Sequence, residues 1–100
     1  MATIKVIDFW ASWCGPCRVL SPVVDEIKSE YDATPEKGVE VVKINVDENS
    51  EETVKYSISS IPTLVYLVDG KEVSRTTGIQ TKSQIVQTIQ KLANEANLPE

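Results

Sequence analysis

Cys14 and Cys17 are the only cysteines in a chain of 100 residues, and Gly15 and Pro16 lie between them. Positions i and i+3 share a face of a helix, so two thiols at that interval can close a disulfide without unwinding the backbone. Gly15 and Pro16 suit a helix start, where proline's fixed φ and missing N–H are tolerated. Just upstream, residues 4–9 (Ile4-Lys5-Val6-Ile7-Asp8-Phe9) read as a strand, apolar enough to be central and covered on both faces. The chain must therefore run out of a buried strand, turn sharply and begin a helix whose first turn holds both sulfurs. Free backbone N–H groups and the positive end of the helix dipole there favour a Cys14 thiolate, and Arg18 one turn on adds a positive charge. Cys17, a turn deeper, stays protonated, which splits the pair into an exposed attacking sulfur and a sheltered resolving one.

A C-x-x-C spacing by itself also serves zinc ribbons, iron–sulfur proteins and structural disulfides. A metal site needs about four ligands, and this chain has two cysteines and no histidine. A disulfide around so small a loop constrains the unfolded chain little, so stabilisation alone explains it poorly. The cysteine arithmetic thus points to redox chemistry and to no bound metal. Without histidine, proton transfer falls to carboxylate, lysine, thiol or water. Asp8 is the anomaly in its strand: a carboxylate between Ile7, Phe9 and Trp10 is expensive to ionise, which predicts a raised pKa. The competing reading is an ordinary exposed strand carboxylate.

One hundred residues suit one domain, residues 1–100, able to bury a core. The net charge of −5 argues against a nucleic-acid or anionic-membrane partner. The chain has no apolar run of membrane-spanning length and its N-terminal residues lack a signal-peptide pattern, so a cytoplasmic location is expected. In that reducing compartment a thiol pair is more plausibly catalytic than structural.

A helix is predicted over residues 14–31, with Leu20, Val23, Val24, Ile27 and Tyr31 on one apolar stripe that stays in phase past Pro22. Residues 32–38 read as a loop and 39–46 as a strand, making a parallel crossover. Lys43 lies within that strand, where snorkelling to solvent is the plain reading. Asn49 and Glu52 suggest a capping box for a short helix ending near Tyr56. A strand over 63–68 follows Pro62, and Asp69-Gly70 then turns it into an antiparallel strand over 72–77. Thr81 with Gln84 makes a second capping box. It opens a helix with Ile85, Val86, Ile89, Leu92, Ala93 and Ala96 on one stripe, before an Asn97-Leu98-Pro99 stop. The fold class is α/β, in the order β-α-β-α-β-β-α.

Residues 8–17, with Trp10 and Trp13 flanking the cysteines and Asp8 six positions before the first, resemble the active-site segment of the thioredoxin family. The resemblance runs from about residue 4 to residue 95. It implies the minimal thioredoxin fold, a four-stranded mixed sheet with helices on both faces. It also implies a protein-disulfide reductase in which Cys14 attacks, Cys17 resolves and Asp8 transfers protons. Gly15 and Pro16 set the geometry of the pair, and Lys43 would tune Asp8. Trp13, Ile61, Pro62 and Gly78 would meet substrate, with Pro62 in a cis peptide and Ile61 and Pro62 pairing with an extended segment of the client. Ser60 departs from the glycine usual in that loop. No bound cofactor is implied beyond the redox-active Cys14–Cys17 disulfide; NADPH enters indirectly, through a thioredoxin reductase, and disulfide-containing proteins are the clients.

Typical members begin with a further strand and helix for which this sequence has no residues. By analogy the strand over 39–46 becomes a sheet edge, which suggests a monomer with a weak tendency to dimerise. A glutaredoxin-like or isomerase-type enzyme, a thioredoxin-fold scaffold with incidental thiols, and an iron–sulfur cluster bridged between two chains are the rival readings.

Overall fold

A computed structural model describes residues 2–96 of the protein. Its elements run β1 (Ile4–Trp10), α1 (Gly15–Asp32), β2 (Val39–Asn45), α2 (Ser50–Lys55), β3 (Thr63–Val68), β4 (Lys71–Thr77) and α3 (Lys82–Glu95), with one 3-10 turn at Pro35–Lys37 in the loop before β2. The four strands form one sheet in the order β2-β1-β3-β4. β1 pairs in parallel with β2 and antiparallel with β3, which pairs antiparallel with β4. β1 is therefore central, as its apolar run predicts, and β2 is an edge of the described sheet.

Strand alternation sends residues to two separate cores. On one face Ile4 and Val6 of β1, Val41 of β2 and Tyr66 of β3 pack with Leu20, Val24 and Ile27 of α1 and with Ile85 and Ile89 of α3. On the other, Ile7 and Phe9 join Val65, Leu67, Ile44, Tyr56 and Ile58. The buried residues of α1 lie on the predicted stripe, with Val23 and Tyr31 at its half-buried margin, and the helix runs on through Pro22. Asp8 falls in phase with Ile4 and Val6. It faces the first core, and the alternative of an exposed carboxylate is excluded by an exposure of 1%.

The turn chemistry behaves as expected at the β3–β4 hairpin, where Asp69 and Gly70 take φ of +50° and +82°, the left-handed pair that a tight two-residue hairpin requires. Thr81 and Gln84 form their reciprocal capping box at the start of α3. The Asn49–Glu52 capping box does not form: Asn49 is the N-cap of α2 but makes no side-chain capping bond. Its amide instead donates to the Asn45 carbonyl at 3.0 Å, and a side chain spent on the end of β2 cannot also serve the helix. The predicted Asn97-Leu98-Pro99 stop lies outside the described residues.

Candidate active site

The segment after β1 folds back by a turn in which the Cys14 N–H donates to the Ala11 carbonyl at 3.2 Å. Cys14 is the N-cap of α1, with extended backbone, and its sulfur accepts the Cys17 N–H at 3.2 Å. A sulfur thus takes the place of a capping oxygen and receives one of the free amides of the first turn. Pro16 stands in that turn, where its missing N–H costs nothing. Cys14 and Cys17 are joined as a disulfide, with their Cα atoms 5.2 Å apart. The helix start and the spacing together bring the two sulfurs into one place, as the sequence implies.

The division into an exposed and a sheltered sulfur is narrower than the sequence suggests, since Cys14 is 5% and Cys17 2% exposed. The physical reason is the chain that crosses above them. The Ile61–Pro62 peptide is cis, and the Ile61 carbonyl oxygen lies 3.8 Å from the Cys14 sulfur. Ile61, Val46 and Trp10 pack around Ala11 and the cysteine pair. Pro62 is buried, while the preceding Ser60, where the family commonly has glycine, is exposed and gives its carbonyl to the Thr63 hydroxyl at 2.6 Å. Gly78 closes the other side, donating its N–H to the Pro62 carbonyl at 2.9 Å. Its φ of +95° is the reason for glycine there; the space where a Cβ would stand is open.

Trp13 projects from this rim, 66% exposed, and is held by its indole N–H, which donates to an Asp47 carboxylate oxygen at 2.8 Å. Asp47 in turn is fixed by its own N–H to the Asn45 side chain at 2.9 Å. Asp47 is a site residue that sequence reasoning passes over as the end of a strand. Arg18 is exposed in the first turn of α1.

Within β1, burial pushes the Asp8 carboxyl up from 3.8 to about 6, against a downward pull from Lys43 and with a smaller push from Asp25. Asp8 and Lys43 are register partners across the β1–β2 pair. Yet the Lys43 ammonium bonds elsewhere: it donates to the Ser21 hydroxyl at 2.6 Å and to an Asp25 carboxylate oxygen at 2.9 Å, and lies 5.4 Å from the centre of the Trp10 ring. Lys43 therefore snorkels to the half-solvated flank of α1, and from there its charge pulls the Asp8 carboxyl downward. Ser21 and Asp25 are further residues with no motif to announce them. One signal was available, because each follows a buried member of the α1 stripe, Leu20 and Val24, and so stands at the stripe's edge facing β2. Among the described residues no three His, Cys, Asp or Glu side chains cluster as a metal site would require, and no described helix is long and apolar enough to cross a membrane.

A four-stranded α/β sheet that carries a C-x-x-C disulfide at a helix N-terminus, faced by a cis-proline loop, defines a dithiol–disulfide exchange protein. The family model for thioredoxin matches residues 1–91. A thioredoxin of Staphylococcus epidermidis is 39% identical over 88 residues, which are 88% of this chain and 81% of that protein. One from Staphylococcus haemolyticus is 38% identical over the same shares of the two chains. The crystal structure of a Fasciola hepatica thioredoxin superposes with a TM-score of 0.77 at 39% identity, covering 89% of this chain and 80% of that one. The germline-specific thioredoxin Deadhead of Drosophila melanogaster gives 0.77 at 30% identity, over 90% and 81%. The chain belongs to the thioredoxin family, and it is a thiol–disulfide oxidoreductase acting on protein disulfides. Proteins of this family work with disulfide clients and a reductase and typically need no prosthetic group.

Proposed function

We propose that this chain, acting as one thioredoxin-like domain, reduces client disulfides with Cys14 as nucleophile and Cys17 as resolving thiol. In the reduced protein the Cys14 thiolate attacks one sulfur of a client disulfide. The Cys14–client bond forms, the client S–S bond breaks, and the departing client thiolate takes a proton from solvent. Cys17 then gives its proton to the Asp8 carboxylate through water, and its thiolate attacks the Cys14 sulfur. The Cys14–Cys17 bond forms, the second client thiolate leaves, and two electrons have passed to the client. A thioredoxin reductase returns them from NADPH, so the domain itself holds no cofactor.

The observation that carries this reading is the position of Cys14, which caps α1 with its own sulfur while lying against the Ile61 carbonyl. A thiolate is favoured by the Cys17 amide it accepts and by the helix terminus. An extended client strand laid beside Ile61 and Pro62, with Trp13 and Gly78 at its flanks, would bring a disulfide to that sulfur. Gly15 and Pro16 keep the turn open to it, and Lys43 moderates Asp8. A buried carboxyl titrating at about 6 supports Asp8 as a proton acceptor near neutral pH. The chain works in the cytoplasm without a nucleic-acid or membrane partner, as a monomer in equilibrium with a weak dimer through the β2 edge.

The test is turnover of a disulfide-bonded protein with NADPH and a thioredoxin reductase, together with a redox titration of Cys14–Cys17 against glutathione. Reductase-dependent turnover and a pair well below glutathione in potential are expected. A pair as oxidising as glutathione would make the domain an oxidant or isomerase instead.

A further inference from the structure

Asp8 and Lys43 occupy one rung of the β1–β2 ladder and, in phase with Val6 and Val41, the same face of the sheet. A carboxylate in an apolar core with an ammonium on the next strand would be expected to take it as a partner. It does not. The ammonium is claimed by Ser21 and Asp25, one turn apart on α1, while the Asp8 Oδ1 atom is buried with no hydrogen-bond partner among the described residues. Nor does the outer pair explain itself as stabilisation. The Asp25 side chain is 59% exposed and that of Lys43 22%, and an ion pair this wet contributes little to folding.

We propose that Asp25, with Ser21, is a positioning residue that anchors the Lys43 ammonium on the flank of α1 and so withholds it from Asp8. The proposal rests on the reading of Asp8 as the acceptor of the Cys17 proton. A lysine free to turn inward would pair with the carboxylate and hold it ionised, leaving a weaker base for the resolving step. The anchored lysine leaves Asp8 close to the solvent pH range over which the enzyme must pick up and release a proton.

The charged groups acting on Asp8 are few. Lys43 comes from β2 and Asp25 from α1. β3 supplies Leu64 in register and Tyr66, whose phenol burial pushes up to about 12. The buried residues of α3 are apolar, and the cysteines do not titrate while joined. Asp25 thus has two routes to Asp8, its own negative charge and its hold on Lys43, and a double-mutant cycle separates them.

The measurement is a 13C NMR titration of the Asp8 carboxyl in the oxidised full-length chain, in wild type, Asp25→Asn, Lys43→Met and the double variant. Wild type should titrate at about 6. Asp25→Asn should lower the midpoint by about one unit or more, through both routes. Lys43→Met should raise it, and in that background Asp25→Asn should lower it by less than half as much. Asp25→Glu should return the wild-type midpoint. Equal shifts from Asp25→Asn in the two backgrounds would overturn the proposal, because Asp25 would then act by its own charge alone. The reading of Asp8 fails separately. If Asp25→Asn moves the Asp8 titration while the pH dependence of the resolving step stays where it was, the anchoring stands and Asp8 is not the acceptor. If the shifts are equal and Asp8→Ala still slows resolution, Asp8 keeps its role and the anchoring is wrong.

Discussion

The cysteine pair and the buried Asp8 carboxylate are assembled over different lengths of chain. Cys14 meets Cys17 inside a single helical turn, through a bond between residues three apart. The surroundings of Asp8 come from three elements, and the Lys43 ammonium alone reaches partners 22 and 18 residues away. The local pair carries the electrons and depends on a helix start that any strand-turn-helix of this sequence would build. The dispersed group shifts the Asp8 carboxyl, and it exists only once α1 has docked across β1 and β2.

The contrast breaks most visibly at the sulfurs. Cys14→Ser should lower client reduction by on the order of 10³-fold or more, since the attacking atom is gone. Cys17→Ser should still attack but stop at the mixed disulfide, which non-reducing electrophoresis or mass spectrometry will detect as an adduct. Multiple turnovers by either variant would contradict the division of labour.

Asp8→Ala should slow the resolving step by about 10²-fold, the lower range for a lost proton acceptor, and should remove an inflection near pH 6 from its pH profile. The stability effect has the opposite sign. Because the folded pKa lies above the unfolded one, the neutral carboxyl is the form the native state favours. The native state is thus most favoured below pH 3.8 and loses stability as pH rises through about 6. That displacement corresponds to about 3 kcal/mol at pH 8. Chemical denaturation of oxidised Asp8→Ala should accordingly show a gain of about 1–3 kcal/mol over wild type at pH 8, shrinking towards nothing at pH 4. A variant no more stable than wild type at pH 8 would mean that the carboxylate is not strained.

Smaller effects are expected at the rim. Asp47→Ala frees the Trp13 indole but touches nothing buried, so stability should change by less than about 1 kcal/mol, while the client KM rises a few-fold with kcat unchanged. A fall in kcat instead would tie the rim to the chemistry below.

The smallest effect concerns the two sheet edges. β4 is blunted by charged Lys71, Glu72 and Arg75 and by a register shift opposite Tyr66 and Leu67, a bulge of the kind that discourages pairing. β2 has only Glu40 and Lys43, with Glu40 in a loose 3.9 Å pair with Lys5. Sedimentation should reveal a weak, concentration-dependent dimer. A monomeric profile up to high concentration would show that those charges suffice.

Much of this molecule was legible in its residues because it follows from short-range rules. The apolar neighbours of Asp8 in β1 placed it inside, the i, i+3 spacing joined the cysteines, Asp69-Gly70 turned the hairpin, and Thr81 with Gln84 capped α3. Local reading failed at Asn49, where a side chain with two available partners chose the end of β2 over its own helix. The cis Ile61–Pro62 peptide was expected on family resemblance, not on local physics, since X-Pro bonds are cis only ~5% of the time. The sequence by itself determined the two sulfurs, their helix and the buried acid, because each depends on neighbours within a turn or on the apolar run of a strand. Only the tertiary structure decided that Lys43 turns to Ser21 and Asp25, that Asp47 holds Trp13, and that the Ile61 loop covers Cys14. Those are choices among competing partners from separate elements, and the winner is set by which surfaces the packed core brings within a few ångströms.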